Sequence, residues 1–278
     1  MSDDGRRVSS GPDWGAIRAV VSKDWNAIRR AKAVVIPMAV VPILLLVLLP
    51  LVLGLAARGA SNSGSDGLVH RLPGALQHAL RGVPARQQLL VLIDGYLLAP
   101  LFLIVPLMVS SVLAADALAG EKERRTLEGL LHLPISDRDL FGAKVIAAFV
   151  PALVVSWVGF LLFCLVANGV AWPVMHRVFL PNRLWSVVIF WVAPAVAALG
   201  MGIMVRVSAR ARTTQEANQL GGAVVLPLIF LAVGQSAGLL LLTWPIAVGV
   251  GVAIWLIALA LLARGAQLFT RDRIAGTL

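Results

Sequence analysis

The sequence predicts an all-α polytopic membrane protein, with six transmembrane helices preceded by an N-terminal interfacial amphipathic helix. Three observations carry that reading. Of 278 residues, 59% are hydrophobic and only 14% are charged, and the mean hydropathy is +0.88, which leaves too little polarity to cover a soluble domain of this length. Apolar runs recur that reach the ~20 residues a helix needs to cross a ~30 Å hydrocarbon core. Lysine and arginine concentrate between alternate pairs of those runs. Helices are the expected spanning form because they satisfy their own backbone hydrogen bonds in lipid. The alternating ten-residue pattern of a β-barrel is absent from the sequence.

The chain reads as a single transmembrane domain over 1–278: a leader over 1–32, six spans within 33–263 and a tail over 264–278. In the leader, Trp14, Ile17, Val21, Trp25 and Ile28 recur at three- and four-residue spacing and share one helix face. Arg18, Lys23, Arg29 and Arg30 lie largely off it, a distribution suited to the headgroup boundary; the alternative is a helix packed on a soluble partner. The first apolar run, Ala33 to Ala57, starts late and is too long for the core of a cleavable signal, so it reads as a retained span. The next runs are Leu89 to Ala115, broken only by Asp94, then Val145 to Met175 and Leu184 to Val205. Leu220 to Ala263 is long enough to cross twice, with a turn expected around Thr243, Trp244 and Pro245. The prolines inside the runs (Pro37, Pro42, Pro50, Pro106 and Pro227) are tolerable where neighbouring helices satisfy the freed backbone groups.

Orientation follows from the basic residues. The leader, the loop after the second run, the loop after the fourth and the tail hold most of the 24 Lys and Arg. The opposite side holds only Arg58, Arg71, Arg81, Arg86, Arg177 and Arg183. The richer side is the cytoplasmic one, which places both termini inside. This asymmetry also accounts for the net charge of +10 without a nucleic-acid partner.

Two cytoplasmic loops hold the polar chemistry. In the first, Gly120 to Lys144, Glu121 and Arg125 lie four apart, as do Arg124 and Glu128, supporting an exposed helix by ~0.2–0.5 kcal/mol per pair. Pro134 disfavours further helix at Leu133, and Ser136 to Asp139 has the S-x-x-D form of a capping box that starts a new helix. A plain solvated loop is the competing reading. In the second loop, Gln215, Asn218 and Gln219 stand at i, i+3 and i+4, with Glu216 beside them. Such a face suits a cytoplasmic gate sealed by side-chain hydrogen bonds, or simply the capping of the next span.

These loops carry a family resemblance. GEKERRTLEGLLHLPIS resembles the E-K-E-(R/K)-G-T-L-E-x-L-L-x-x-P-(I/V)-S signature that follows the second span of ABC type-2 permeases, with Arg125 where the family usually has glycine. RTTQEANQLGGAVVLPLI looks like the K-T-x-Q-E-A-x-Q segment entering their fifth span, and the order of leader helix and six spans also fits. The resemblance implies an ABC type-2 exporter-like half-transporter, in which two permease subunits, identical or different, pair with two copies of a separate ATPase. It implies that ATP and Mg are bound by that partner, that no enzyme activity resides on this chain, and that the location is a bacterial plasma membrane. It makes Glu121, Glu123, Arg124, Thr126 and Glu128 the coupling residues, Trp14 to Lys32 the interfacial helix, and Gln235 to Trp244 the site of short re-entrant elements. In agreement, no G-x-x-x-x-G-K-(S/T) phosphate cradle occurs in the sequence.

Within the runs, Asp94, Asn168 and Gln235 are the polar candidates. Asp94 lies near the outer end of its run, where the expectation is a solvated interfacial position, with an ion- or substrate-contacting role as the alternative. Asn168 and Gln235 are expected to hydrogen-bond between helices. Gly200, Met201, Gly202, Gly249 and Gly251 are expected at close helix contacts, and Trp172, Trp185 and Trp244 at the outer interface. Cys164 is alone and reads as a packing residue. The four histidines lack metal-ligand spacing and no G-x-S-x-G elbow occurs, which disfavours an intramembrane hydrolase. The sequence therefore points to the permease subunit of an ATP-driven exporter; a membrane-embedded scaffold or assembly protein without transport activity is the other reading.

Overall fold

The computed structural model of the protein describes residues 13–62, 74, 77, 80–117, 136–210, 215, 216, 219, 225–236 and 242–268. Every regular element among them is helical. The first, α1 (Trp14–Arg30), opens at Asp13, whose side chain accepts hydrogen bonds from the backbone N–H groups of Gly15 and Ala16. It closes with Arg29 and Arg30 in its last turn, where positive charge complements the helix dipole. A single non-helical residue, Ala31, separates it from the first membrane-crossing helix.

Five helices are long and apolar enough to cross a membrane: α2 (Val34–Gly59), α3 (Ala85–Ala115), α4 (Asp137–Met175), α5 (Arg183–Ser208) and α7 (Trp244–Leu268). Between the last two lies a shorter apolar helix, α6 (Leu226–Ser236). Six spans are expected from the sequence, but the described residues include five of crossing length. The long final run is divided as anticipated, since α7 begins at Trp244, but residues 220–224 fall outside the described set, so α6 alone is too short to span.

The third span also begins earlier than its charge-free run implies. Ser136 caps α4, its hydroxyl accepting from the Asp139 N–H at 3.1 Å, and the helix takes in Lys144 before the apolar run starts. The helix start is therefore where the S-x-x-D pattern places it, but only the Ser136 half of the box forms: Asp139 Oδ2 instead lies 3.5 Å from the Asp13 backbone nitrogen.

Two spans form the centre. In α3 and α5, 67% and 72% of the most apolar stretch is buried, against 22%, 28% and 17% in α2, α4 and α7. The outer helices turn large apolar side chains such as Leu161, Leu165, Phe230 and Leu256 outward, as lipid-facing surfaces require. At the centre sits Trp185, fully buried against Phe102, Phe160 and Phe163, with ring centroids 5.4, 5.5 and 4.5 Å away. The sequence reading puts Trp185 at the interface with Trp172 and Trp244; those two are half-exposed, but Trp185 is a core residue.

Each of α2, α3 and α5 widens into a π-helical turn, at Leu44–Leu48, Ile93–Leu97 and Val188–Val192. A proline follows each turn within two or three residues: Pro50, Pro100 and Pro194. Proline cannot donate to the carbonyl four residues back, so the helix widens locally instead of breaking. Close approach of the helices depends on glycine at specific places. A Cβ on Gly202 would stand 2.9 Å from Leu261 Cβ on α7, and one on Gly251 would run into the Trp191 ring. Gly249, expected at such a contact, faces open space instead.

Candidate functional site

Two groups of polar side chains stand out, one at each end of the bundle. At the end that carries α1, the leader helix lies against the start of α4. Ile17 and Val20 pack on Leu140 and Ala143, and the line they form continues to Asp24. The face buried on α4 is thus Ile17, Val20 and Asp24, slightly rotated from the expected stripe; Trp14 remains 60% exposed.

Asp24 is buried because Lys144 meets it there. Lys144 Nζ lies 2.9 Å from Asp24 Oδ2, and the residues are only 4% and 7% exposed. A buried charge is tolerable when paired and hydrogen-bonded. One turn further on, the Trp25 indole N–H donates to the Ala147 carbonyl at 3.2 Å. Pro151, four residues beyond Ala147, has no N–H to return to it, so the indole takes the place of the missing helical donor. Sequence reasoning missed both partnerships. Their signal was an acidic residue on the apolar face of the leader and a lysine eight residues inside a helix.

The five coupling residues implied by the family resemblance, Glu121, Glu123, Arg124, Thr126 and Glu128, lie outside the described residues. The structure does fix what flanks them. The preceding helix runs to Asp116 and Ala117, and the next starts at the Ser136 cap, about two helical turns before Lys144. Of the gate candidates, Gln215, Glu216 and Gln219 are helical and exposed; Asn218 lies outside the described residues.

At the opposite end Asp94 occupies the π-helical turn of α3 and is completely buried, not solvated as expected from its position in the run. The fold gathers neighbouring spans around it. Its backbone carbonyl accepts from the Trp185 indole at 3.0 Å. A Cβ on Gly54 of α2 would stand 3.4 Å from Asp94 Oδ2 and 3.1 Å from Val170 Cγ1 of α4. Among the described residues neither carboxyl oxygen has a hydrogen-bond partner. Gln235 of α6 is buried and donates to the carbonyl of Tyr96, two residues beyond Asp94 in the same π-helical turn, at 2.9 Å. That carbonyl is the one Pro100 leaves without an α-helical donor.

Asn168 does different work. Its Nδ2 donates to the carbonyls of Cys164 and Leu180, both at 2.8 Å, and its Oδ1 accepts from the N–H groups of Phe179 (2.9 Å) and Leu180 (3.2 Å). Those four bonds exhaust the amide's capacity and tie the connection between α4 and α5 to the end of α4.

A family model described as ABC-2 family transporter protein matches residues 18–248. Comparisons with curated proteins and with solved structures returned no match. The matched region begins within α1, takes in every crossing helix through α5 together with α6, and ends in the first turns of α7. The chain therefore belongs to the ABC-2 transporter family, as a membrane-spanning permease component.

Proposed function

We propose that the chain is the membrane-spanning half of an ATP-driven exporter. It forms the translocation pathway with a second permease subunit, and a separate ATPase docks on the charged segment between α3 and α4. The observation that carries this is the family match across the helical bundle, joined to the charge block of Gly120 to Lys144 in a chain without a phosphate-binding loop. Both termini then face the cytoplasm of a bacterial cell, where the basic loops belong.

In this reading Glu121, Glu123, Arg124, Thr126 and Glu128 meet the ATPase. Closure of the ATPase on nucleotide pushes the segment that ends at the Ser136 cap. Because α1 is clamped to the same stretch of α4 through Asp24 and Lys144, the push moves α1 and α4 as one body. The exposed Gln215, Glu216 and Gln219 supply polar contacts at the cytoplasmic mouth between two permease subunits.

The experiment is co-expression with a candidate soluble P-loop ATPase from the same genome, followed by purification and reconstitution. Glu121→Gln with Glu128→Gln is expected to leave membrane insertion intact while lowering both ATPase capture and transport-coupled ATP hydrolysis. Unchanged capture and unchanged coupling in that variant would remove the docking assignment.

A further inference from the structure

The leader helix and the start of α4 enclose a groove of about 490 Å³ that the packing of the two helices leaves unfilled. Its floor is apolar, formed by Ile17 and Val21 of α1 with Ile146 of α4. Its rim is not. Arg18 and Arg29 stand at its two ends, both exposed, and Ser22 and Asn26 lie between them on the same helix face. Arg18 and Arg29 are three helical turns apart, roughly 16 Å at ~1.5 Å per residue. Trp14 and Trp25, also three turns apart, contribute their rings to the lining. None of these lining residues is acidic: the nearby carboxylate of Asp24 is turned to the other side and held by Lys144.

We propose that this groove is a binding site for a single anionic phospholipid, its phosphate and polar headgroup lying along the Arg18–Ser22–Asn26–Arg29 rim, where the two long arginine side chains reach in from either end, and its acyl chains over Ile146. The inference goes beyond the transport reading and does not depend on it. Charge complementarity selects the occupant. Two guanidinium groups flanking neutral hydroxyl and amide donors match a phosphodiester and its polar headgroup. The apolar floor running onto a membrane-crossing helix matches acyl chains, which an acidic peptide lacks. Tryptophans beside arginines are the pairing that settles at the boundary between headgroups and hydrocarbon. Protein closes the Ile17, Val20 and Asp24 line of α1 against α4, whereas Arg18, Ser22, Asn26 and Arg29 beside it stay exposed, the line left for lipid.

The test is native mass spectrometry of the full chain in detergent, titrated with phosphatidylglycerol or phosphatidylcholine of identical acyl chains. The wild type is expected to hold one phosphatidylglycerol more tightly than phosphatidylcholine. Each arginine is expected to supply about fivefold of that preference, and the pair about 30-fold. Arg18→Gln with Arg29→Gln should abolish the preference, while Arg18→Lys with Arg29→Lys should retain most of it. Ile146→Trp, which keeps both charges but fills the groove, should weaken phosphatidylglycerol as strongly as removing the arginines. Equal affinity of the wild type for the two lipids would overturn the proposal. So would a glutamine variant that keeps its phosphatidylglycerol preference, and loss of ATPase capture in that same variant with lipid binding unchanged would assign the groove to protein instead.

Discussion

Lys144 and Asp24 are 120 residues apart in the chain, and their side chains meet at 2.9 Å with both residues buried. The contact joins the leader helix to the first turns of α4, immediately after the charged segment. Taking two charges out of water is costly, and their attraction and hydrogen bonding offset that cost only while both are present. Lys144→Ala leaves the buried Asp24 carboxylate with only the longer, largely exposed contact to Lys23 at 3.9 Å, and Asp24→Ala removes the carboxylate hydrogen-bonded to the buried Lys144; each is expected to destabilise the protein, by up to about 3–5 kcal/mol. Replacing both by apolar residues, Asp24→Leu with Lys144→Met, should recover most of that loss. Thermal unfolding of the purified chain and its three variants measures the difference. Additive losses would mean that the two side chains do not act as a pair.

Trp25 and Pro151 form a second cross-helix dependence. The indole donates to the Ala147 carbonyl because Pro151 supplies no N–H to it. Trp25→Phe keeps the ring and removes the donor, which leaves a carbonyl without its partner at a cost of about 1–3 kcal/mol. Pro151→Ala restores a backbone donor. Its stabilising effect should therefore be larger in the Trp25→Phe background than in the wild type, a coupling that a double-mutant cycle on thermal unfolding reads directly.

How much of this was legible beforehand depends on the range of the interaction. The crossing helices announce themselves as charge-free runs, and the start of α4 is written locally in Ser136 and Asp139, so composition and capping chemistry suffice. Asp24 with Lys144 is not a local pattern. The sequence shows a carboxylate on an apolar face and a lysine at the edge of a span, but nothing in it says that the two faces meet. Trp185 and Asp94 show the limit of a depth rule. Both lie near the ends of apolar runs, where indoles and carboxylates favour the interface, yet both are fully buried. Asp94 sits in the π-helical turn of α3 and Trp185 in the first turn of α5, and the neighbouring spans close over both. The family signature was legible in Glu121 to Glu128 without any geometry, and the family match across residues 18–248 agrees with it.

The glycines separate by what stands opposite them. Gly202 faces the Cβ of Leu261, an atom fixed to the α7 backbone, so Gly202→Ala must push two helices apart. Overpacking of that kind costs typically about 1–3 kcal/mol, partly offset by the better helix propensity of alanine, up to ~1 kcal/mol. A net loss of stability is expected. Gly249 has nothing within 4 Å of its would-be Cβ. Gly249→Ala should be neutral or raise stability by up to ~1 kcal/mol. The two variants, unfolded side by side in one detergent, check this; equal effects would mean that α5 and α7 do not pack as closely as described.

Orientation is the last expectation, and the functional proposal depends on it. Arg138 is exposed one residue into α4, immediately after the charged segment, and Arg177 is exposed in the connection at the far end of the same helix. The 39 residues of α4 are ample to put them on opposite sides of a membrane. The basic loops assign the Arg138 end to the cytoplasm. In a background with Cys164→Ala, Arg177→Cys is expected to react with a membrane-impermeant maleimide on intact cells. Arg138→Cys should react only after the membrane is opened. The reverse pattern would place the segment from Glu121 to Glu128 outside the cell, beyond the reach of any ATP-hydrolysing partner.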